Sequence, residues 1–144
     1  MKLKQLSIFL ENRPGHLSHI CETLADAKIN IVTLTLSDTS EFGILRLIVR
    51  EWELAKDILE VAGCAVNITN VMAIEVPNHS GGLEHILKIS DAAELSVEYM
   101  YGFAFSALGN AKIIIRFNDL DRAANALEVE GISILSALNF YSNP

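Results

Sequence analysis

Apolar and polar residues follow two different periods along the first half of the chain. Leu17, Ile20 and Leu24 recur at the spacing of one helix face. Residues 31–36 are rich in β-branched side chains, and residues 44–49 form an apolar run typical of a strand covered on both faces. The elements predicted in this half are a strand at 6–10, a helix from 17 to the break at "KIN", strands at 31–36 and 44–49, a helix at 51–62 and a strand from 65.

The second half of the chain repeats the first at a spacing of 66 residues. Asn12 recurs as Asn78, and Gly15 recurs as Gly81. The same spacing pairs Leu17 with Leu83, His19 with His85, Gly43 with Gly109, Ile48 with Ile114 and Arg50 with Arg116. Gly63 then meets Gly131, two positions later than expected, which predicts a two-residue insertion in the last helix of the second copy.

The repeat predicts the fold class. The second copy gives a strand at 72–76, a helix at 83–93, strands at 97–105 and 111–117, a helix at 120–129 and a strand at 132–140. We therefore predict an α+β protein of two ferredoxin-like βαββαβ units in tandem, at residues 1–70 and 71–144, each an antiparallel sheet with both helices on one face. Because no Gly/Ser/Pro-rich linker separates the copies, the two units are expected to be rigidly coupled.

The segment "ENRPGHL" at residues 11–17 joins the first strand to the first helix, and it has two interpretations. Asn, Pro and Gly build turns in many proteins, and on this first interpretation the segment serves only to start the helix. Alternatively, Gly15 lets a carboxylate approach the unpaired N–H donors of the helix start, Pro14 stiffens the loop, and the Asn12 amide offers both a donor and an acceptor. The corresponding "NHSGG" lacks the proline and gives a weaker signal.

Composition and charge exclude several classes of protein. Apolar residues make up 51% of the 144, and 18 acidic residues against 11 basic ones give a net charge of -7, which disfavours nucleic acid as a partner. No apolar run approaches the roughly 20 residues of a membrane-spanning helix, so a cytoplasmic protein without a membrane partner is expected. The high apolar content predicts a homodimer, in which a second subunit covers part of the surface.

No catalytic or metal-binding constellation is evident in the sequence. We find no nucleophile with a positioned base and no glycine-rich phosphate cradle, so neither an enzyme nor a cofactor is expected. Cys21 and Cys64 are far apart and lack metal-site spacing, which predicts buried thiols. His16 and His19 lack a third ligand, so no metal site is predicted. Arg50 recurs as Arg116 in the second copy. The two arginines are interpreted either as anion contacts or as solvated charges at strand ends.

Aromatic residues alternate along the predicted strand 97–105 and therefore line one face of the sheet. They are Tyr99, Tyr101, Phe103 and Phe105. Packing within the sheet or between subunits explains this stripe, and so does a share in a ligand pocket. Tyr99 and Tyr101 occupy the places of Thr33 and Thr35 in the first copy, so the pockets of the two copies are expected to differ.

With this order of elements, the whole chain resembles tandem ACT domains, which are small regulatory modules that bind amino acids. The resemblance rests on "ENRPGHLSHICETLADAKINI" and "FGILRLIV" in the first copy, and on "GGLEHILKISDAAELSVEYMYGF" and "NAKIIIRFND" in the second. It implies that an amino acid binds at the loop after the first strand of a unit and at unit interfaces. The implied ligand-binding residues are Asn12, Arg13, Pro14, Gly15, His16, Thr33, Thr35, Asn78, Ser80, Gly81, Gly82, Tyr99 and Tyr101.

The function predicted from the sequence is therefore that of a regulatory protein that binds a small molecule, most simply an amino acid. A change in quaternary arrangement would follow if the ligand binds one arrangement more tightly than another. The alternative is an interaction subunit that docks on a separate metabolic enzyme, with or without a ligand. For ligand binding, the first loop is expected to be the stronger site.

Overall fold

The computed structural model describes residues 2–38, 40–77, 79–103 and 110–142. These residues contain seven strands and five helices, in the order β1 (Leu3–Glu11), α1 (His16–Asp26), β2 (Ile31–Asp38), β3 (Phe42–Val49), α2 (Trp52–Val61), β4 (Ala65–Pro77), α3 (Gly82–Ala92), β5 (Val97–Phe103), β6 (Asn110–Phe117), α4 (Leu120–Val129), β7 (Ile134–Leu135) and α5 (Ala137–Ser142).

The chain divides into two compact units. The N-terminal unit is Lys4–Thr69, and the C-terminal unit runs from Asn70 onward and includes Leu3. The predicted last strand of the first copy and first strand of the second are one continuous strand, β4. Its residues 65–69 belong to the N-terminal unit and residues 70–77 to the C-terminal unit.

In the N-terminal unit, β3 lies between β1 and β2 and is antiparallel to both. Leu47 of β3 lies opposite Leu6 of β1 and Leu34 of β2, so these three side chains share one face of the sheet. Both helices pack on that face, since Ile20 of α1 and Leu59 of α2 are fully buried in the same core. The apolar spacing that predicts each helix is therefore the spacing of its buried stripe.

The C-terminal unit has the same plan. Strand β6 lies between β4 and β5, and β4 also pairs with β7. The core contains Met72 and Ile74 of β4, Ile86 of α3 and Leu127 of α4. The predicted ferredoxin-like α+β arrangement, with two helices on one face of an antiparallel sheet, is confirmed in both units.

The predicted last strand at 132–140 is wrong beyond its first half. Strand β7 is two residues long, and the chain then forms α5. Ser136 starts this helix, because its hydroxyl accepts a hydrogen bond from the Asn139 N–H at 3.1 Å and its carbonyl accepts one from the Phe140 N–H at 2.8 Å. The Phe140 side chain is buried, with the Lys112 ammonium 5.7 Å from its ring centroid.

The predicted insertion in the last helix is also wrong. Helices α2 and α4 both have ten residues and begin 68 positions apart, and strands β3 and β6 both have eight residues and begin 68 positions apart. Strands β2 and β5 still begin 66 apart. The two extra residues therefore lie between the starts of β5 and β6, a range that contains residues 104–109, outside the described chain.

This correction separates two arginines that the sequence repeat had paired. Arg50 follows the last residue of β3, whereas Arg116 lies within β6. The Arg116 guanidinium forms an ion pair with Glu98 at 2.9 Å and donates to the Asn70 carbonyl at 2.7 Å. Arg116 thus has partners within its own unit, and its recurrence after Arg50 does not mark a repeated anion contact.

Candidate functional site

The first loop, residues 12–16, is tied to the turn between β2 and β3. The Asn12 N–H donates to the Glu41 carbonyl at 2.9 Å, and the Asn12 side-chain amide donates to the Ser40 carbonyl at 3.4 Å. The Glu11 N–H donates to Nδ1 of His16 at 3.1 Å. Asn12 and His16, both predicted ligand-binding residues, therefore hold the loop in place through contacts with the protein itself.

The remaining residues of the first loop are exposed. Arg13 forms an ion pair with Glu11 at 2.9 Å, and both side chains are more than half exposed, so the pair contributes little to stability. Pro14 is exposed, and Gly15 precedes α1 with φ of 90°, in the left-handed region that favours glycine. A Cβ at Gly15 would meet no atom within 4 Å. Gly15 thus supplies the turn angle and also leaves the helix start open.

The second loop, residues 79–82, also has a glycine at positive φ before its helix, but its next residue packs closely against the end of β4. Gly81 has φ of 87° and open space around it, as Gly15 has. Gly82 is buried, and a Cβ there would lie 2.4 Å from the Pro77 carbonyl oxygen. His79 accepts from the Gly82 N–H through its carbonyl at 3.1 Å, and its Nδ1 lies 2.8 Å from the Ser80 carbonyl. Asn78, the other predicted site residue here, lies outside the described residues.

A cavity of about 370 Å³ opens at the second loop, beside the start of α3. It is bounded by the end of β4, the start of β6 and the turn before β7. Its lining residues are Glu75, Pro77, His79, Gly81, Gly82, His85, Ile86, Asn110, Gly131, Ile132 and Ser133. The sheet edge is closed here by a hydrogen bond from the Glu75 N–H to the Ser133 carbonyl at 3.1 Å. The predicted residues Gly81 and Gly82 thus line the cavity together with His79 and His85.

Two exchanges between the copies account for the open space at the second loop. Position 16 is histidine in the first unit and its equivalent, position 82, is glycine, so no side chain projects from the helix start there. Position 11 is glutamate, and its equivalent is Pro77. Proline has no backbone N–H, so it cannot donate to an imidazole as Glu11 does. The first unit fills this place with the imidazole that accepts from Glu11, whereas in the second unit the Gly82 backbone packs directly against the Pro77 carbonyl.

The threonines and tyrosines predicted to share in binding lie on outer strands. Thr33 and Thr35 of β2 face Ile48 and Arg46 of β3 in the ladder. Tyr99 and Tyr101 of β5 lie opposite Arg116 and Ile114 of β6. Because β3 and β6 each separate these strands from the strand that leads into the loop, neither unit brings the four side chains to its own loop.

Sequence reasoning did not single out Glu75, Asn110 or the 131–133 turn. The Asn110 side-chain amide donates to Oε2 of Glu75 at 3.3 Å, on the face of the sheet opposite α3. A signal was present in the repeat, because position 75 is equivalent to Phe9. An aromatic residue replaced by a carboxylate at matched positions marks a change in what the surface contacts.

Other chemistry is sparse in the described part of the chain. Residues 2–38, 40–77, 79–103 and 110–142 contain no cluster of three or more His, Cys, Asp or Glu side chains that could hold a metal ion. Cys21 and Cys64 are both free and half-buried, and burial raises the pKa of the Cys64 thiol above its ordinary value. None of the helices described is long and apolar enough to cross a membrane.

Comparison with known proteins agrees with this architecture. The chain is similar to protein BT0572 from Bacteroides thetaiotaomicron, with 38% identity over 98% of this chain and 96% of that chain and a TM-score of 0.92. It also shares its fold, at 14% identity and a TM-score of 0.61, with the ligand-free regulatory subunit of aspartate kinase from Thermus thermophilus, over 87% of this chain and 88% of that one. Comparison with curated proteins finds no match.

The family follows from the whole length of the chain. Both units have the ferredoxin-like order of elements, each with a glycine at positive φ immediately before its first helix. A family model described as an ACT domain pair matches residues 1–143. The resemblance predicted from the sequence is thereby confirmed, and the chain belongs to the ACT domain pair family.

Proposed function

We propose that this protein is a regulatory protein that binds an amino acid in the cavity at its second loop and passes the bound state to another protein. The observation that carries the proposal is the cavity of about 370 Å³ beside Gly81 and Gly82. Its volume is within the range of about 300 to 1,000 Å³ that is usual for small-molecule pockets. Membership of the ACT domain pair family supports the same function.

The chemistry of the cavity suits a small polar ligand. Helix α3 begins at its wall, and the first N–H groups of a helix have no intrahelical partner. These donors and the positive end of the helix dipole favour a carboxylate. Ile86 and Ile132 supply apolar surface on the same wall. We therefore assign carboxylate binding to the start of α3 beside Gly81 and Gly82, where the Gly82 N–H itself already donates to the His79 carbonyl.

The other predicted ligand-binding residues have a lesser part in this proposal. Asn12, Arg13, Pro14, Gly15 and His16 form a second, weaker candidate loop, whose polar side chains already have partners within the protein. Thr33, Thr35, Tyr99 and Tyr101 remain candidates for contacts made when two units or two subunits share a ligand. We infer that the protein acts without catalysis and that its output is a contact with a separate protein.

Calorimetric titration with each of the twenty amino acids tests the proposal. A ligand at 100 times its Kd should stabilise the fold by about 2.7 kcal/mol, so each binder should also raise the melting temperature. Gly82→Ala is the variant that should weaken binding, because its methyl group enters the wall of the cavity. If none of the amino acids gives heat or a melting shift at millimolar concentration, the proposal is wrong.

A second candidate function is that of an interaction subunit that docks on a metabolic enzyme. It is favoured by the exposed aromatic pair of Phe9 and Phe42, whose rings stack at a centroid distance of 5.3 Å while the residues are 53% and 42% exposed. Exposed aromatic residues are enriched at protein interfaces. Affinity capture with the unaltered protein and with a Phe9→Ser, Phe42→Ser variant tests this candidate, which predicts an enzyme recovered only by the unaltered protein.

A further inference from the structure

Strand β2 of the N-terminal unit has an edge without a strand partner in the described chain. It is eight residues long, and among residues 2–38, 40–77, 79–103 and 110–142 it pairs only with β3. Such an edge is a template for a further strand, and proteins usually protect it with charges, prolines or short strands. Residues 31–37 contain no charged residue, no proline and no glycine. After a register shift between Ile31 and Thr33, the ladder with β3 is regular.

The same strand exposes leucine side chains along this edge. Leu34 of β2 lies opposite Leu47 of β3. Leu36 lies opposite Leu45 in the same ladder, so both β2 side chains project from the face that carries α1 and α2. The two β3 leucines are at most 1% exposed, whereas Leu34 and Leu36 are 46% and 44% exposed. The helices thus cover β3 more fully than β2, and the two exposed leucines form an apolar shelf beside the unpaired edge.

The equivalent strand of the C-terminal unit, β5, is less suited to pairing. It begins 66 positions after β2 and pairs with β6 as β2 pairs with β3. The positions equivalent to Val32 and Leu36 are Glu98 and Gly102. Glu98 carries a charge and forms an ion pair with Arg116 at 2.9 Å. A charge at an edge opposes the addition of a strand, and a glycine weakens a strand. Of the two units, the N-terminal one therefore has the edge that fits a further strand.

We propose that β2 pairs antiparallel with β2 of a second copy of this chain and so joins the sheets of the two N-terminal units. The sequence of the strand favours a second copy, because it is complementary to itself. The two-fold axis between two such strands is perpendicular to the sheet, so each side chain meets one from the same face. Leucines then meet leucines on the helix side, and Thr33 and Thr35 meet threonines on the other side. Cross-strand pairs of these kinds are stabilising, and residues 31–37 bring no like charges together.

Sedimentation velocity of the full chain over a series of concentrations tests the proposal. The unaltered protein should sediment at twice the mass of one chain. Leu34→Lys should weaken the dimer by about tenfold or more, because it removes an apolar contact and brings two ammonium groups to the joined edge. Met100→Lys makes the same change at the equivalent position of β5, where the side chain is 41% exposed. This matched control should form the dimer as the unaltered protein does, and melting curves show whether both variants fold.

Hydrogen exchange of the unaltered protein keeps the proposal testable if Leu34→Lys fails to fold. The amides of residues 31–37 that point away from β3 should exchange about tenfold or more slowly in the dimer than in the diluted monomer, whereas residues 97–103 should not change.

Three results would overturn the proposal. The unaltered protein could be a monomer at every concentration tested. The dimer could persist in Leu34→Lys, or weaken equally in Met100→Lys. Residues 31–37 could become protected only when a different protein is added to the monomer, which would show that the edge of β2 serves another partner.

Discussion

The aromatic pair of the N-terminal unit and the polar pair of the C-terminal unit stand at the same place in the same fold. Phe9 and Phe42 are exposed and stack on each other, whereas Glu75 and Asn110 line a cavity and share a hydrogen bond. The backbone ladders that carry the two pairs have the same register. The difference teaches that the fold fixes where two side chains meet, while their chemistry decides whether the place suits a protein surface or a small ligand.

The loops beside these pairs differ in a matching way. In the N-terminal unit the His16 imidazole accepts from the Glu11 N–H. In the C-terminal unit neither group exists, because the equivalent residues are Gly82 and Pro77. One unit thus has a loop filled by an imidazole, and the other has a loop without a side chain at the equivalent position. Four predictions test this contrast.

The largest effect is expected from placing the aromatic pair in the C-terminal unit. The double variant Glu75→Phe, Asn110→Phe should lose amino-acid binding by about 100-fold or more, because two rings would crowd the part of the cavity that these residues line. Calorimetric titration measures the loss. The reverse variant Phe9→Glu, Phe42→Asn is the matched control and should bind as the unaltered protein does. Equal losses in the two would mean that the cavity is not the binding site.

Gly82→Ala should act next most strongly, and it should affect both stability and binding. The new methyl group would lie 2.4 Å from the Pro77 carbonyl oxygen, and overpacking of this kind costs about 1 to 3 kcal/mol of unfolding free energy. Urea denaturation measures the cost, and titration of the folded variant measures the affinity. A variant as stable as the unaltered protein would show that the backbone of the second loop can shift to accommodate the methyl group at little cost in free energy.

Gly15→Ala and Gly81→Ala should destabilise the protein to the same extent. The two residues have φ of 90° and 87° and equally open surroundings, so each methyl group costs only the strain of the left-handed region, about 1 kcal/mol. Denaturant titration of both variants without ligand is the measurement. If Gly15→Ala leaves stability intact, its glycine serves ligand access rather than the turn angle.

The smallest effect is expected at the starts of the second helices of the two units. The Asp119 side chain accepts from the Arg122 N–H at 3.1 Å and so caps α4, whereas Glu51 before α2 makes no side-chain cap. Asp119→Ala should therefore lower the unfolding free energy by about 1 kcal/mol. Glu51→Ala should change it by less. Similar losses at both positions would show that the charge near the helix start, rather than the hydrogen bond, matters.

The order of elements was predictable from the sequence because each helix buries a regular stripe. The position of the insertion was not, for a physical reason. A shift of two residues in the alignment of two strands keeps every side chain on the same face. The sequence repeat matched Ile48 with Ile114, whereas the structure makes Arg116 its equivalent, and the apolar pattern fits either match. The two ladders exclude that pairing, because Leu47 faces Leu6 and Ile115 faces Met72.

The last strand and the cavity were missed for different reasons. Residues 132–140 alternate well enough for a strand, but a local cap at Ser136 outweighs that pattern and starts α5. The predicted site residues at the second loop included Gly81 and Gly82 because the loop itself is visible in the sequence. Glu75 and the 131–133 turn come from distant segments that only the β4 pairings bring to it, and no local pattern marks such a meeting.

The absence of a side chain at Gly82 limits how the sequence of this protein can evolve. Every replacement of glycine adds at least a methyl group, so position 82 has no conservative substitution. A single missense change would press a side chain against the Pro77 carbonyl oxygen, and only a return to glycine would fully restore the contact between this loop and β4. The duplicated loop in the other unit has no such vulnerability, since His16 already fills that place. If ligand binding is under selection, substitutions at position 82 should therefore be removed more strongly than substitutions at the exposed residues around it.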